Sequence, residues 1–235
     1  MKQTLFLLSV CALLLVGCTR DFGTPTTRNY PINGTYTELD VSDAFEVTVS
    51  DEVNDVVVTV GELAHNRVVV KTIDGTLYIG FKPGTHYVGK AIAVIPANAN
   101  LRDLDLSGAS TFTGDLKGNE VEIDLSGAST YRGTIEAVEL DIDLSGASNA
   151  IINGTCQTEM EIDLSGASHL DAIHLNAQSV RGNVSGASNA DVTVCSSLNV
   201  ELSGASTLTY GTVSDECNPV VNCSTSGGST VRLRR

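Results

Sequence analysis

The sequence predicts an all-β chain: a parallel β-helix, right-handed as parallel crossovers are, with about 20 residues per coil and an N-terminal layer of β-strands as its cap. Three observations carry this. The unit Asp-Leu-Ser-Gly-Ala-Ser, complete at 105–110, recurs with its first serine at Ser107, Ser126, Ser145, Ser165, Ser185, Ser203 and, in degenerate form, Ser226, in steps of 19, 19, 20, 20, 18 and 23 residues. Apolar and polar residues alternate with a period of two on both sides of the unit. No helical period of useful length interrupts them. Twenty residues at about 3.3 Å each make a circuit of roughly 65 Å, enough for three short strands and their corners, and equivalent strands would stack about 4.8 Å apart. A β-prism or sandwich of the same strands is the alternative.

From the start of the chain, residues 1–17 combine a basic start at Lys2 with an apolar run from Leu5 to Val16. That run is too short to span a bilayer and reads as an export signal. Leu15-Val16-Gly17-Cys18 resembles the bacterial lipobox, which implies a mature chain that begins at a diacylated Cys18. Two or three acyl chains hold a protein firmly on a membrane, at about 0.8 kcal/mol per buried methylene. Residues 18–35, with Gly23, Pro25 and several threonines but no hydrophobic period, read as a tether.

Strands are dense across residues 36–100. Leu39 and Val41 alternate with polar neighbours, as do Phe45, Val47 and Val49, then Val56, Val58 and Val60, then Val68 and Val70, then Leu77, Ile79 and Phe81, then Ile92 and Val94. Asp74-Gly75 marks a tight turn between two of them. This part is the expected cap, because an open terminal coil would offer unpaired backbone groups to other chains.

Residues 101–235 form the repeat region. Val121, Ile123 and Leu125 point inward while Glu122, Asp124 and Ser126 point out, and Leu140, Ile142 and Leu144 repeat the pattern. Gly108, Gly127, Gly146, Gly166, Gly186 and Gly204 mark a sharp, crowded corner, each followed by alanine. The second serines, Ser110, Ser129, Ser148, Ser168, Ser188 and Ser206, are placed to hydrogen-bond along the stack.

The repeated Ile-Asp-Leu-Ser-Gly-Ala-Ser, with Ala44-Phe45-Glu46-Val47-Thr48-Val49 and Asp74-Gly75-Thr76-Leu77-Tyr78-Ile79 before it, resembles the putative auto-transporter adhesin, head GIN domain family, common in Bacteroidetes. The resemblance runs from about Tyr36 to the C-terminus. It implies an exported β-helical domain with an adhesin-like role, and it supplies no catalytic residues. No membrane β-barrel segment follows Ser226, so anchoring would fall to Cys18.

Composition narrows the function. A formal charge of −14 repels nucleic acid and an anionic membrane face, leaving the lipid anchor as the membrane contact. Tryptophan is absent and aromatics make up 5% of residues, which removes the usual sugar-stacking surface. The outward Asp105, Asp124, Asp143 and Asp163, continued by Asn183 and Glu201, form an acidic ladder. Adjacent unit charges 4.8 Å apart repel by roughly 1 kcal/mol even in water. Either calcium bridges them, or the carboxylates splay into solvent and accept hydrogen bonds from the serine column. Calcium takes six to eight oxygens and a wrapping loop, and neither an Asp-x-Asp-x-Asp-Gly loop nor a glycine-rich nonapeptide repeat is present. The expectation is therefore no metal and no other cofactor.

The serine motif recurs in every coil, unlike a catalytic serine with its own base and oxyanion hole. No Gly-x-Ser-x-Gly elbow occurs, and His65, His86, His169 and His174 make no His-Glu-x-x-His zinc arrangement. An exported location permits disulfides. Cys156 and Cys195 fall on one side of coils two steps apart, on the order of 9–10 Å and beyond bridging distance. Cys217–Cys223, which closes a short loop, is the expected pair, with Cys195–Cys217 the alternative. The terminal Arg232, Arg234 and Arg235 read as charge guarding an exposed edge.

The combined expectation is a non-enzymatic, lipid-anchored protein of the cell envelope, an outer-membrane lipoprotein on its surface or periplasmic face, that touches a protein or glycan partner. A polysaccharide-active enzyme and a periplasmic scaffold or sensor component are the alternatives. A groove whose side chains break the repeat would localise function.

Overall fold

The computed structural model describes residues 22–214 and 216–234. The export signal, Cys18 and Arg235 lie outside the described residues. In chain order the elements are β1 (Pro25–Tyr30), β2 (Glu38–Val41), β3 (Phe45–Ser50), β4 (Val56–Gly61), a 3-10 turn (Glu62–Asn66), β5 (Val68–Ile73), β6 (Thr76–Phe81) and β7 (Ala91–Pro96). There follow β8 (Asp103–Leu106), β9 (Thr111–Thr113), β10 (Leu116–Leu125), β11 (Thr130–Leu144), β12 (Asn149–Leu164), β13 (His169–Val184) and β14 (Asn189–Leu202). The last are β15 (Thr207–Gly211), β16 (Val220–Val221), β17 (Ser224–Thr225) and β18 (Thr230–Leu233). The chain is all-β and forms a β-solenoid of about 6 turns with roughly 20 residues per turn.

From β10 to β14 each strand stacks on the next in parallel register. Each coil has three sides. The first carries the Asp-Leu half of the motif, the second follows the Ser-Gly-Ala-Ser corner, and the third returns the chain. Paired residues on the first side stay in fixed register, Leu125 on Leu144 and Leu144 on Leu164. Most register shifts fall on the third side, as between Cys156 and Glu159. The uneven repeat length is absorbed there, so the two motif-bearing sides remain regular.

The inward residues fill a dry core. Val121, Ile123, Leu125, Leu140, Ile142 and Leu144 are all buried, as alternation requires. Large rings cluster in the lower coils. Phe112 stacks on Tyr131 with centroids 5.9 Å apart, and the buried Tyr131 hydroxyl donates to the Gly114 carbonyl at 3.1 Å, which satisfies its polar end.

The corners follow from glycine chemistry. Gly146 has φ 71°, a region costly for a residue with a Cβ, and a Cβ there would collide with the Gly127 carbonyl below. That close approach lets Ala147 N–H donate to the Gly127 carbonyl at 2.7 Å, and the same bond repeats from Ala128 to Gly108 at 2.8 Å and from Ala205 to Gly186 at 2.7 Å.

The N-terminal region differs from the expected cap. β2 lies parallel on β8, and β3 on β9. On their other side β2 meets β6, and β3 meets β7. Residues 38–50 are thus a coil of the solenoid, inserted between the 76–96 coil and the first overt repeat. Leu39-Asp40-Val41-Ser42-Asp43-Ala44 is the repeat motif in disguise, with Asp43 at φ 62° in the place of the later corner glycine and Ala44, in the place of the alanine that follows it, also at positive φ, 63°. Asp43 can hold that conformation because its carboxylate accepts the Phe81 N–H at 2.8 Å. Capping proper is antiparallel: β4 runs along β7, β1 along β4, and β5 along β6.

The expected tether at 18–35 needs correction in its described part. β1 is an edge strand on β4, paired from Pro25 with Gly61 to Tyr30 with Val56. Its sequence lacks a hydrophobic period because one face meets solvent along most of its length. It is fixed instead by side chains: the Tyr30 hydroxyl lies 2.9 Å from His65 Nδ1 and His65 Nε2 lies 2.9 Å from the Thr26 carbonyl. Since a carbonyl only accepts, Nε2 carries the proton and Nδ1 accepts from Tyr30.

Candidate functional site

The first side of the solenoid carries three outward columns. Asp40, Asp105, Asp124, Asp143 and Asp163 stand one above another in register. Beside them run Glu38, Asp103, Glu122, Asp141 and Glu161, then Glu120, Glu139 and Glu159. Sequence reading found the first column from Asp105 upward and missed Asp40, because the motif there lacks its glycine. The other two columns were visible only as alternating acids, since nothing in the spacing alone aligns positions that lie two and four residues before the ladder.

Some of these carboxylates, part-buried and stacked on like charges, resist ionisation. Burial, then the charges of Asp40, Asp124 and Glu38, pushes Asp105 up to about 6. Burial, then Asp163 and Asp124, raises Asp143, and burial followed by the Asp103 carboxylate raises Glu122. Toward the C-terminal end the ladder is relieved. Asn183 donates its Nδ2 to Asp163 at 2.7 Å, and Arg181 reaches Glu159 and Glu161.

The serines beside the ladder do not serve it. Ser126, Ser145 and Ser185 donate to the main-chain carbonyls of Leu106, Leu125 and Leu164 at 3.5, 3.5 and 3.1 Å. The second serines are buried and lock the corners. Ser148 Oγ reaches the Leu125 carbonyl at 3.0 Å and the Ser145 carbonyl at 2.6 Å, and Ser206 repeats this with Val184 and Ser203 at 3.0 and 2.9 Å. Ser168 and Ser188 alone bond to each other, at 3.1 Å. Ser110 Oγ is buried without a partner, because the corner beneath it is the irregular Ser42-Asp43-Ala44. Among the described residues no three or more His, Cys, Asp or Glu side chains are grouped to hold a metal ion. None of their helices is long and apolar enough to cross a membrane.

The expected Cys217–Cys223 bridge is a correction. Cys195 and Cys217 are joined, with Cα atoms 4.7 Å apart, while Cys223 and the buried Cys156 are free. The third side of one coil brings Cys217 above Cys195, one rung apart. Cys223 instead lies on the first side between β16 and β17, packed on the core.

The repeat breaks at residues 97–101, where an irregular loop replaces the third side beneath β10. A cavity of about 490 Å³ opens there, walled by Val49, Ile95, Ala99, Leu101 and Leu116. At its rim Lys117 Nζ meets Glu136 Oε2 at 2.5 Å. A shallower depression of about 660 Å³ adjoins it at Tyr36, Asn98 and Arg102.

Comparison with known proteins places this geometry. The sequence model for the putative auto-transporter adhesin, head GIN domain, matches residues 35–212. A putative adhesin from Bacteroides fragilis shares the fold with a TM-score of 0.77 at 17% identity, over 90% of this chain and 97% of that one. A putative lipid binding protein from Parabacteroides distasonis gives 0.66 at 19% identity, over 91% and 98%. A putative adhesin from the same organism gives 0.64 at 21%, over 91% and 98%. No curated protein matches.

Proposed function

The chain belongs to the putative auto-transporter adhesin, head GIN domain family, and from that premise we propose that it is an exported, lipid-anchored cell-envelope protein whose solenoid acts by surface contact and performs no chemistry of its own. Cys18 supplies the anchor and the first side of the solenoid supplies the contact face. The observation that carries the reading is the in-register columns from Asp40 to Asp163. From Asp40 to Asp163 the same outward groups recur from coil to coil, which suits repeated contact with an extended partner and not a reaction needing one singular set of groups.

Three measurements test it. Mass spectrometry of the mature chain should find a diacylated Cys18 that Cys18→Ser abolishes. Protease treatment of intact cells should remove the protein if it faces outward. Incubation with a glycan panel should leave every polymer intact, and depolymerised product would overturn the non-enzymatic reading in favour of a polysaccharide-active solenoid.

The apolar cavity favours a second reading, in which the same protein holds an acyl chain between Ile95, Leu101 and Leu116, a role in keeping with the name of the Parabacteroides lipid binding relative. Displacement of a fluorescent fatty acid, lost in Leu116→Glu, would support it.

A further inference from the structure

The link between the proposed anchor and the solenoid is shorter than its sequence suggests. Phe22 is buried at 8% exposure, its ring lies 5.1 Å from that of Tyr87, and its carbonyl accepts the Leu63 N–H at 3.0 Å. Only Thr19, Arg20 and Asp21 separate it from Cys18. Even fully extended, the steps from Cys18 to Phe22 span about 14 Å.

Phe22 also marks one end of the molecule. The second-side sheet runs from β9 through β3 and β7 to β4 and then β1, and Phe22 precedes the last of these strands. Beside it, the 3-10 turn exposes Leu63 at 61% and the loop before β7 exposes Val88 at 66%. Both segments are fixed in place. The Glu62 N–H donates to the Thr24 carbonyl at 3.0 Å, and the Gly61 N–H donates to the Tyr87 hydroxyl at 2.9 Å.

Charge reverses here. In a chain of formal charge −14, residues 62–67 and 82–90 carry Arg67, Lys82 and Lys90 against a single carboxylate, Glu62. Arg67 bonds the Thr85 hydroxyl and the Pro83 carbonyl, and Lys82 bonds the Asn66 carbonyl. Among the described residues the ion pair in these segments is Lys90 with Glu46, at 2.7 Å, so Arg67 and Lys82 keep their charge for another partner.

We propose that this end is a membrane-contact surface, with Leu63 and Val88 in the interfacial layer of the bilayer that holds the Cys18 acyl chains and with Arg67 and Lys82 among its phosphates. The inference rests on the lipid anchor proposed above and adds which face that anchor turns to the membrane. The short link selects the occupant. With Cys18 acylated, a span of about 14 Å keeps Phe22 and its neighbours close to the headgroups, where exposed apolar side chains and cations both gain. The columns from Asp40 to Asp163 then lead away from the membrane.

The chain has no tryptophan, so Leu63→Trp and Val88→Trp each supply a single fluorophore at an exposed site. Leu233→Trp supplies one on β18, roughly 40 Å away along the stacked strands. Each full chain, its Cys18 checked by mass spectrometry, is reconstituted into vesicles of phosphatidylcholine and phosphatidylglycerol with or without bromine on the acyl chains. Emission from Leu63→Trp and from Val88→Trp should shift to the blue and fall by at least about half in brominated vesicles, while that from Leu233→Trp should not change. In diacylated chains, an unquenched fluorophore at either position 63 or 88, or equal quenching of Leu233→Trp, would sink this proposal and leave the anchor standing. An unmodified Cys18 would remove the anchor and this inference with it.

Discussion

Replacing Asp105 by asparagine should stabilise the protein at neutral pH, contrary to the usual effect of changing a residue in a regular repeat. Asp105 lies between Asp40 and Asp124 in the ladder, and its carboxyl is raised from 3.8 to about 6 by burial and by those neighbours. A carboxyl with a raised folded pKa holds its proton more tightly in the native state. Its contribution is therefore favourable below 3.8 and is lost as pH climbs through about 6. The loss is at most about 3 kcal/mol at pH 7, and solvent screening of a half-buried group reduces it to about 1 kcal/mol. Asparagine removes the charge at nearly constant volume, and the chain already uses it at Asn183, where the amide donates to Asp163. For a domain of this size 1 kcal/mol moves Tm by about 2–4 °C. Thermal melts by circular dichroism at low salt should show Asp105→Asn above wild type at pH 7, the gap closing by pH 4 and shrinking in high salt. An unchanged or lower Tm at pH 7 would refute the claim that the ladder is a source of strain.

Gly146→Val should cost at least about 2 kcal/mol, through the left-handed φ and the collision with the Gly127 carbonyl, and urea melts would read the loss. Ser148→Ala should cost about 1 kcal/mol by removing a buried hydroxyl bonded at 3.0 and 2.6 Å. Ser110→Ala, which deletes a hydroxyl without a partner, should be neutral or mildly stabilising in the same melts. Cys195→Ser with Cys217→Ser opens a link of sequence separation 22, worth about 3 kcal/mol in the chain-entropy account. Because the link holds the last coil, hydrogen exchange should quicken from β15 to β18 and stay slow in β10 to β13. Peptide mapping of the oxidised wild type should recover Cys195 joined to Cys217.

The repeat was legible because its two halves answer to strong local rules. Alternation sends Ile123 and Leu125 inward whatever surrounds them, and a glycine at each corner is demanded by backbone geometry that other residues rarely adopt. The coil at residues 38–50 escaped because Asp43 takes the corner glycine's positive φ with help from the Phe81 N–H, a partner 38 residues away. β1 escaped for a related reason. An edge strand with most of one face in water needs no hydrophobic period, and its anchor at Tyr30, His65 and Thr26 joins residues that sequence cannot show to be neighbours.

The candidate site divides in the same way. One column of acids could be read from the repeat, but the cavity beside residues 97–101 arises where the third side fails to repeat, and an absence of pattern gives sequence reading nothing to count. The cysteine pairing shows the limit most clearly. Loop length favoured Cys217–Cys223, whereas stacking put Cys217 one rung above Cys195.

By itself, then, the sequence determined the period of the coil, which side chains face its core, and the glycine corners, because each depends on residues within one turn of the chain. Only the tertiary structure decided the order in which coils stack, which acids share a face and which cysteines meet. Those depend on contacts between residues a full circuit or more apart, and a rung spacing of about 4.8 Å brings such residues together regardless of their separation along the chain.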